Sequence, residues 1–152
     1  MKFLNNYSNR ELNIWAELIL SILVSFYFFP KIFPLIINDQ LYSEALVGIV
    51  ITSIIISIIY SIFVFGAINT LTKREEKDER DYIYELKSYR ISNIIFHVSI
   101  YLLISLIVFN PISQVRLNEF TAPMIAMILP IITLLSSIGK CLTQLFNYRK
   151  NI

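Results

Sequence analysis

Long apolar segments alternate with short polar ones along the chain. Charged side chains are nearly absent from residues 13–37, 45–72, 91–113 and 120–139. A helix needs about 20 apolar residues to cross a hydrocarbon core about 30 Å thick, and each segment is long enough to cross once. A spanning backbone must satisfy its own hydrogen bonds, and these segments do not alternate as barrel strands do. The pattern predicts four transmembrane helices at about 12–36, 45–71, 84–112 and 120–146.

The composition agrees with a membrane protein. Hydrophobic residues make up 56% of the 152 residues and charged residues only 16%, against about 25% charged in a soluble domain. A soluble fold of this size has too little interior for so much apolar surface. Disordered chains are poor in such residues, and Cys141 has no disulfide partner. We therefore expect one all-α, integral membrane domain over residues 1–152.

The basic residues predict the orientation of the helices. Six of the 13 lysines and arginines lie in the segment 73–90, two precede the first helix and three lie near the C-terminus. Lysine and arginine accumulate on the cytoplasmic side of a membrane. The sequence therefore predicts two hairpins with both termini and the 73–90 loop in the cytoplasm, in a multi-pass protein of the cell membrane. The first helix is too long for the apolar region of a signal peptide, so we expect it to be retained.

Polar residues four positions apart recur in every predicted helix, and this spacing places them on one face. They are Asn13, Glu17, Ser21 and Ser25; Ser53, Ser57 and Ser61; Asn93, His97, Tyr101 and Ser105; and Thr133 and Ser137. We expect these faces to turn toward the other helices. A packing seam is the favoured interpretation, since interhelical hydrogen bonds contribute only about 0.6 kcal/mol each. A polar path through the bundle is the alternative.

Glu17 and His97 lie at similar depth in the cytoplasmic half of the membrane, and Lys140 lies near the inner end of the fourth helix, from where it can reach toward them. Intramembrane charges usually pair, which predicts either a Glu17–His97 or a Glu17–Lys140 contact. The favoured alternative places Glu17 at the membrane interface, with His97 bonded only to a backbone carbonyl.

Two segments resemble a known family. The first is Asp78-Glu79-Arg80-Asp81-x-Ile83-x-Glu85-Leu86-Lys87-x-Tyr89-Arg90-Ile91-Ser92, and the second is Gly139-Lys140-x-Leu142-x-Gln144-Leu145-x-x-Tyr148-Arg149-Lys150. They are similar to the signature and tail of a poorly characterised family of small bacterial and archaeal four-helix membrane proteins. The resemblance implies four spans, a cytoplasmic signature loop and a cytoplasmic regulatory partner. It implies no enzyme activity.

No catalytic or cofactor motif is recognisable in the sequence. The three glycines are isolated, and one histidine and one cysteine cannot form a usual zinc or haem site. We therefore expect no enzyme activity, no cofactor, no metal and, at a net charge of +2, no direct nucleic-acid binding.

Two functions remain open for a chain in the lipid bilayer. The first is a regulatory or interaction protein that binds a cytoplasmic partner through the charged loop, with Asp78, Glu79, Arg80, Asp81, Lys87 and Arg90 as its candidate residues. The alternative is a small transporter or channel subunit, assembled as a homodimer, that uses Glu17 and His97.

Overall fold

The computed structural model is all-α and describes residues 8–38, 44–72, 78–109 and 122–150. Its helices are α1 (Asn9–Ile37), α2 (Glu44–Tyr60), α3 (Gly66–Leu71), α4 (Glu79–Phe109) and α5 (Ala122–Lys150), with a π-helical turn (Ser61–Phe65) that joins α2 to α3. The fold class predicted from the sequence is confirmed.

Among the described residues, four helices are long and apolar enough to cross a membrane, which indicates a multi-pass membrane protein. They are Asn9–Ile37, Glu44–Leu71, Glu79–Val108 and Met127–Lys150. The third of these helices begins at Glu79 and not at the predicted residue 84, because the charged residues that precede the apolar segment are helical as well. Residues 73–77 of the predicted loop lie outside the described residues.

The helix α1 packs against most of the other helices. It begins at an N-cap serine, Ser8, whose hydroxyl accepts a hydrogen bond from the Glu11 backbone at 3.1 Å. It packs against α2, the π-helical turn, α3 and α5, whereas α4 packs chiefly against α5. The Tyr60 hydroxyl donates to the Ala16 carbonyl at 3.1 Å and fixes the end of α2 on α1.

Two apolar clusters form the core on either side of the middle of α1. The first contains Phe28 and Ile32 of α1, Leu46 and Ile49 of α2, and Met127 of α5. The second joins Ile14 and Leu18 of α1 to Cys141 and Leu145 of α5. Both apolar clusters therefore lie along α1.

The helices α4 and α5 approach each other closely at Gly139. A Cβ atom added there would collide with the Ile95 side chain. One turn away, the Ser92 and Ser136 hydroxyls lie 2.7 Å apart, and Ser136 also donates to the Ser92 carbonyl at 2.9 Å. Small residues permit such close helix contacts in membranes.

Candidate functional site

Polar side chains from three helices meet where α1 and α4 begin and α5 ends. They line a cavity of about 290 Å³, which we call the polar cavity. Its polar residues are Arg10, Asn13 and Glu17 of α1; Asp81, Glu85 and Tyr89 of α4; and Lys140, Gln144 and Tyr148 of α5. The spacing of three or four residues within each set places its members on one helix face.

Glu17 and Lys140 form an ion pair in the polar cavity. The Lys140 Nζ atom lies 2.8 Å from Glu17 Oε1 and 2.9 Å from Oε2, and it also lies 4.9 Å from the centre of the Tyr89 ring. The side chains of Lys140 and Glu17 are 17% and 32% exposed. Of the two pairings that the sequence allowed for Glu17, the one with Lys140 is confirmed.

Asp81 connects all three helices at the edge of the same cavity. It forms an ion pair with Arg10, and the Tyr148 hydroxyl donates to Asp81 Oδ1 at 2.6 Å. The Tyr148 ring also packs edge-on against Tyr84 at 5.3 Å between ring centres. Only 17% of the Asp81 side chain is exposed. The sequence predicted Asp81 to be part of an exposed interaction loop, but in the structure its side chain points toward the other helices.

Apart from Asp81 and Glu85, the charged residues around the start of α4 remain on the surface. Asp78 and Arg80 side chains are 68% and 75% exposed, and their nearest charged atoms lie 3.9 Å apart. Glu79, Lys87 and Arg90 are exposed as well. We call these five residues the α4 surface. Exposed apolar side chains lie among them, namely Tyr82, Ile83 and Leu86.

His97 does not reach the polar cavity. Its side chain is exposed, and its Nδ1 atom lies 2.8 Å from the Asn93 carbonyl oxygen, as the backbone-carbonyl alternative predicted. Asn93, Tyr101 and Ser105 are exposed too, so the prediction that this polar face turns inward is wrong for α4. The helix instead packs through the face that carries Ser88, Ser92 and Leu103, because small side chains there allow close contact with α5.

The polar cavity combines two cations with three carboxylates, a formal charge of −1. Sequence reasoning predicted a contact between Glu17 and Lys140 as one of two pairings, but it placed Asp81 in a separate surface loop and did not bring it to the same cavity. The missed signal is the four-residue spacing of Asp81, Glu85 and Tyr89 and of Lys140, Gln144 and Tyr148. Within the described ranges, no three His, Cys, Asp or Glu side chains come together to hold a metal ion.

Comparisons of the chain with protein-family models, with curated proteins and with solved structures gave no match. The family resemblance therefore stays a prediction from the sequence. Both segments that carry it contribute to the polar cavity, through Asp81 and Glu85 in the first and Lys140 and Tyr148 in the second.

Proposed function

We propose that this chain is a non-catalytic membrane protein that binds a cytoplasmic protein through the α4 surface. The observation that carries the proposal is the division within the segment 78–81. The fold uses Asp81 to join three helices, whereas it leaves Asp78, Glu79 and Arg80 on the surface.

Asp78 has a structural role, because its Oδ1 atom accepts a hydrogen bond from the Glu79 backbone at 2.6 Å where α4 begins. Ion pairing on the surface does not account for Arg80. An exposed ion pair contributes about 0–1 kcal/mol, and the Asp78–Arg80 pair is long as well as exposed. The Arg80 guanidinium can hold a carboxylate bidentately on another protein. Tyrosine and arginine are enriched among the residues that dominate binding at protein interfaces, and both types are exposed in the first turns of α4, at Arg80 and Tyr82.

The proposal requires the α4 surface to face the cytoplasm. The distribution of lysine and arginine supports this orientation. It can be tested in a Cys141→Ser background, whose native thiol is fully buried, with single cysteines at Asn38 and Glu79. We expect an impermeant thiol reagent added outside intact cells to label the cysteine at 38 and not the one at 79. The reverse pattern would overturn the orientation.

Binding is tested by co-purification of cytosolic proteins with the wild type and with Arg80→Glu. Lys150→Glu is the matched control, because it makes the same charge change at an exposed residue that lies outside the α4 surface. At equal membrane levels, Arg80→Glu should lose a protein that the wild type and Lys150→Glu retain. Three identical sets of co-purified proteins would contradict the proposal.

Transport is the second candidate, and the polar cavity is the observation that favours it. Ionisable residues within membrane spans often mark ion or proton pathways, and the Glu17–Lys140 ion pair lines this cavity near the helix ends. His97 lies outside this cavity, so the candidate now rests on Glu17 and Lys140. Proton or alkali-cation flux into proteoliposomes that falls with Glu17→Gln, and not with Glu79→Gln, would favour transport over binding.

A further inference from the structure

A groove among α1, α2 and α5 is left open within one chain. It encloses about 780 Å³ between aliphatic walls, and its hydroxyl groups come from Ser53, Ser57 and Ser61 on one side and Thr133 and Ser137 on the other. We call it the hydroxyl groove. At the end nearest the polar cavity, the Ser21 and Ser137 hydroxyls lie 3.0 Å apart. Its outer wall includes Ile54 and Ile58, each 53% exposed.

The second incompletely packed surface is the exposed polar face of α4, formed by Asn93, His97, Tyr101 and Ser105, which we call the α4 stripe. At 3.6 residues per turn, it lies on the side of α4 opposite Ser88, Ser92 and Leu103, the side that packs on α5. Tyr101 is 65% exposed. Polar groups in membrane spans nearly always face other protein or a water-filled cavity, so lipid is a poor environment for the stripe.

The two surfaces lie at matching heights along the bundle. Glu17 and Tyr89 both contact Lys140 and provide a common reference level. At a rise of about 1.5 Å per residue, the groove runs on α1 from Ser21, about 6 Å beyond Glu17, to Phe28, about 17 Å beyond it. On α4, Asn93 lies about 6 Å beyond Tyr89 and Ser105 about 24 Å beyond it. The two ranges overlap over the whole length of the groove.

We propose that the α4 stripe of one copy docks in the hydroxyl groove of a second copy of this chain. The stripe supplies amide, imidazole and hydroxyl groups. The groove supplies small side chains that let a helix approach closely, and hydroxyl oxygens that can accept hydrogen bonds, since Ser53, Ser57 and Thr133 already donate to their own helix backbones. A chain cannot fill its own groove with this face of α4, because that face points away from α5. Each copy nevertheless carries both surfaces at the same height, so two identical chains in one membrane bring them together.

This contact is heterologous, since different surfaces of the two copies meet. A bound pair leaves the stripe of one copy and the groove of the other available, so the contact builds a closed ring or an extended row. A symmetric contact between two α4 stripes is a different arrangement, and it can be distinguished by cross-linking.

The experiment uses full-length chains with a Cys141→Ser background and two different tags, co-expressed in one membrane. One chain carries His97→Cys in the stripe and the other Ser57→Cys in the groove. The matched controls are Leu102→Cys and Ile55→Cys, which lie on exposed but different faces of the same helices. We expect a short bifunctional thiol reagent to link 97 to 57 several-fold more than any pair that includes a control cysteine.

Two results would overturn the proposal. One is a link between 97 and 97 that exceeds the link between 97 and 57, since this indicates a symmetric α4 contact. The other is a 97-to-57 yield no higher than that of the controls. If His97→Cys itself weakens the contact, Tyr101→Cys paired with Ser53→Cys repeats the measurement with His97 intact, and the same two results would then overturn it.

Discussion

The ion pair between Glu17 and Lys140 allows a quantitative prediction for the polar cavity. Removing one partner of a fully buried pair costs about 3–5 kcal/mol, and a hydrogen bond to a charged group contributes about 1.5–3 kcal/mol. Because the Glu17 side chain is 32% exposed, water screens part of the loss. We therefore expect Lys140→Met to lower the free energy of unfolding by about 2 kcal/mol.

The reciprocal substitution should cost less. In Glu17→Gln, Lys140 keeps its contact with the Tyr89 ring, and the amide oxygen can still accept a hydrogen bond, so we expect a loss of about 1 kcal/mol. The double variant leaves no unpaired charge and should also lie within about 1 kcal/mol of the wild type. The two effects are then strongly non-additive, as expected for residues in direct contact.

The four proteins can be compared by titration with sodium dodecyl sulfate in mixed micelles, with fluorescence of the single tryptophan as the signal. Trp15 packs against the cluster of Ile14, Leu18, Cys141 and Leu145, so its emission reports on the same end of the bundle. Lys150→Met, an exposed lysine of the same helix, is the control. If Lys140→Met resembles this control and the two substitutions are additive, the pair is a solvated surface pair and the reasoning is refuted.

Further predictions concern individual contacts. Asp81→Asn should cost about 2–3 kcal/mol in the same titration and Asp78→Asn less than about 0.5 kcal/mol; equal losses would contradict the division between buried and exposed signature residues. Gly139→Ala should cost about 1 kcal/mol, at the low end of overpacking, because the new methyl group meets only the Cδ1 end of the Ile95 side chain, which can rotate, and Ile95→Val should recover part of the loss; no recovery would refute this cause. Ser57→Leu should leave the melting temperature of the dissociated single chain in detergent unchanged, since within one chain its side chain lines an open groove; a large fall would instead favour a packing seam within the chain.

Much of the helical layout could be predicted from the sequence, because a charge in hydrocarbon is costly and the gaps between charges therefore mark the spans. The predicted 12–36 and 45–71 agree closely with Asn9–Ile37 and Glu44–Leu71. The early start of α4 is a property of the charged residues themselves, since glutamate, arginine and lysine favour helices even outside lipid.

The direction of each polar face could not be predicted. A spacing of four residues assigns residues to one face but does not determine which neighbour that face meets. In α1 the face with Glu17 and Ser21 meets α5, whereas in α4 the face with His97 points away from it. The face of α4 that packs on α5 carries Ser92 and Ile95, which contact Ser136 and Gly139, and these pairs are about 44 positions apart in the sequence.

The polar cavity also depends on such long-range pairs. Arg10 and Asp81 are 71 positions apart, and Tyr148 is 67 positions beyond Asp81. Each residue on its own is an ordinary charge or tyrosine near the end of a helix. Their contacts depend on the positions of the three helix ends relative to one another, which the spacing within each helix does not determine.

The central claim is that the α4 surface contacts a soluble protein, and site-specific photocross-linking tests it most directly. A photoreactive amino acid at Leu86, which is 72% exposed within that surface, is compared in living cells with the same group at Phe146, which is 66% exposed near the corresponding end of α5. We expect a cross-linked soluble protein at position 86 that is absent at 146 and is lost when Arg80→Glu is added. The same products at both positions, or none at 86, would contradict the claim.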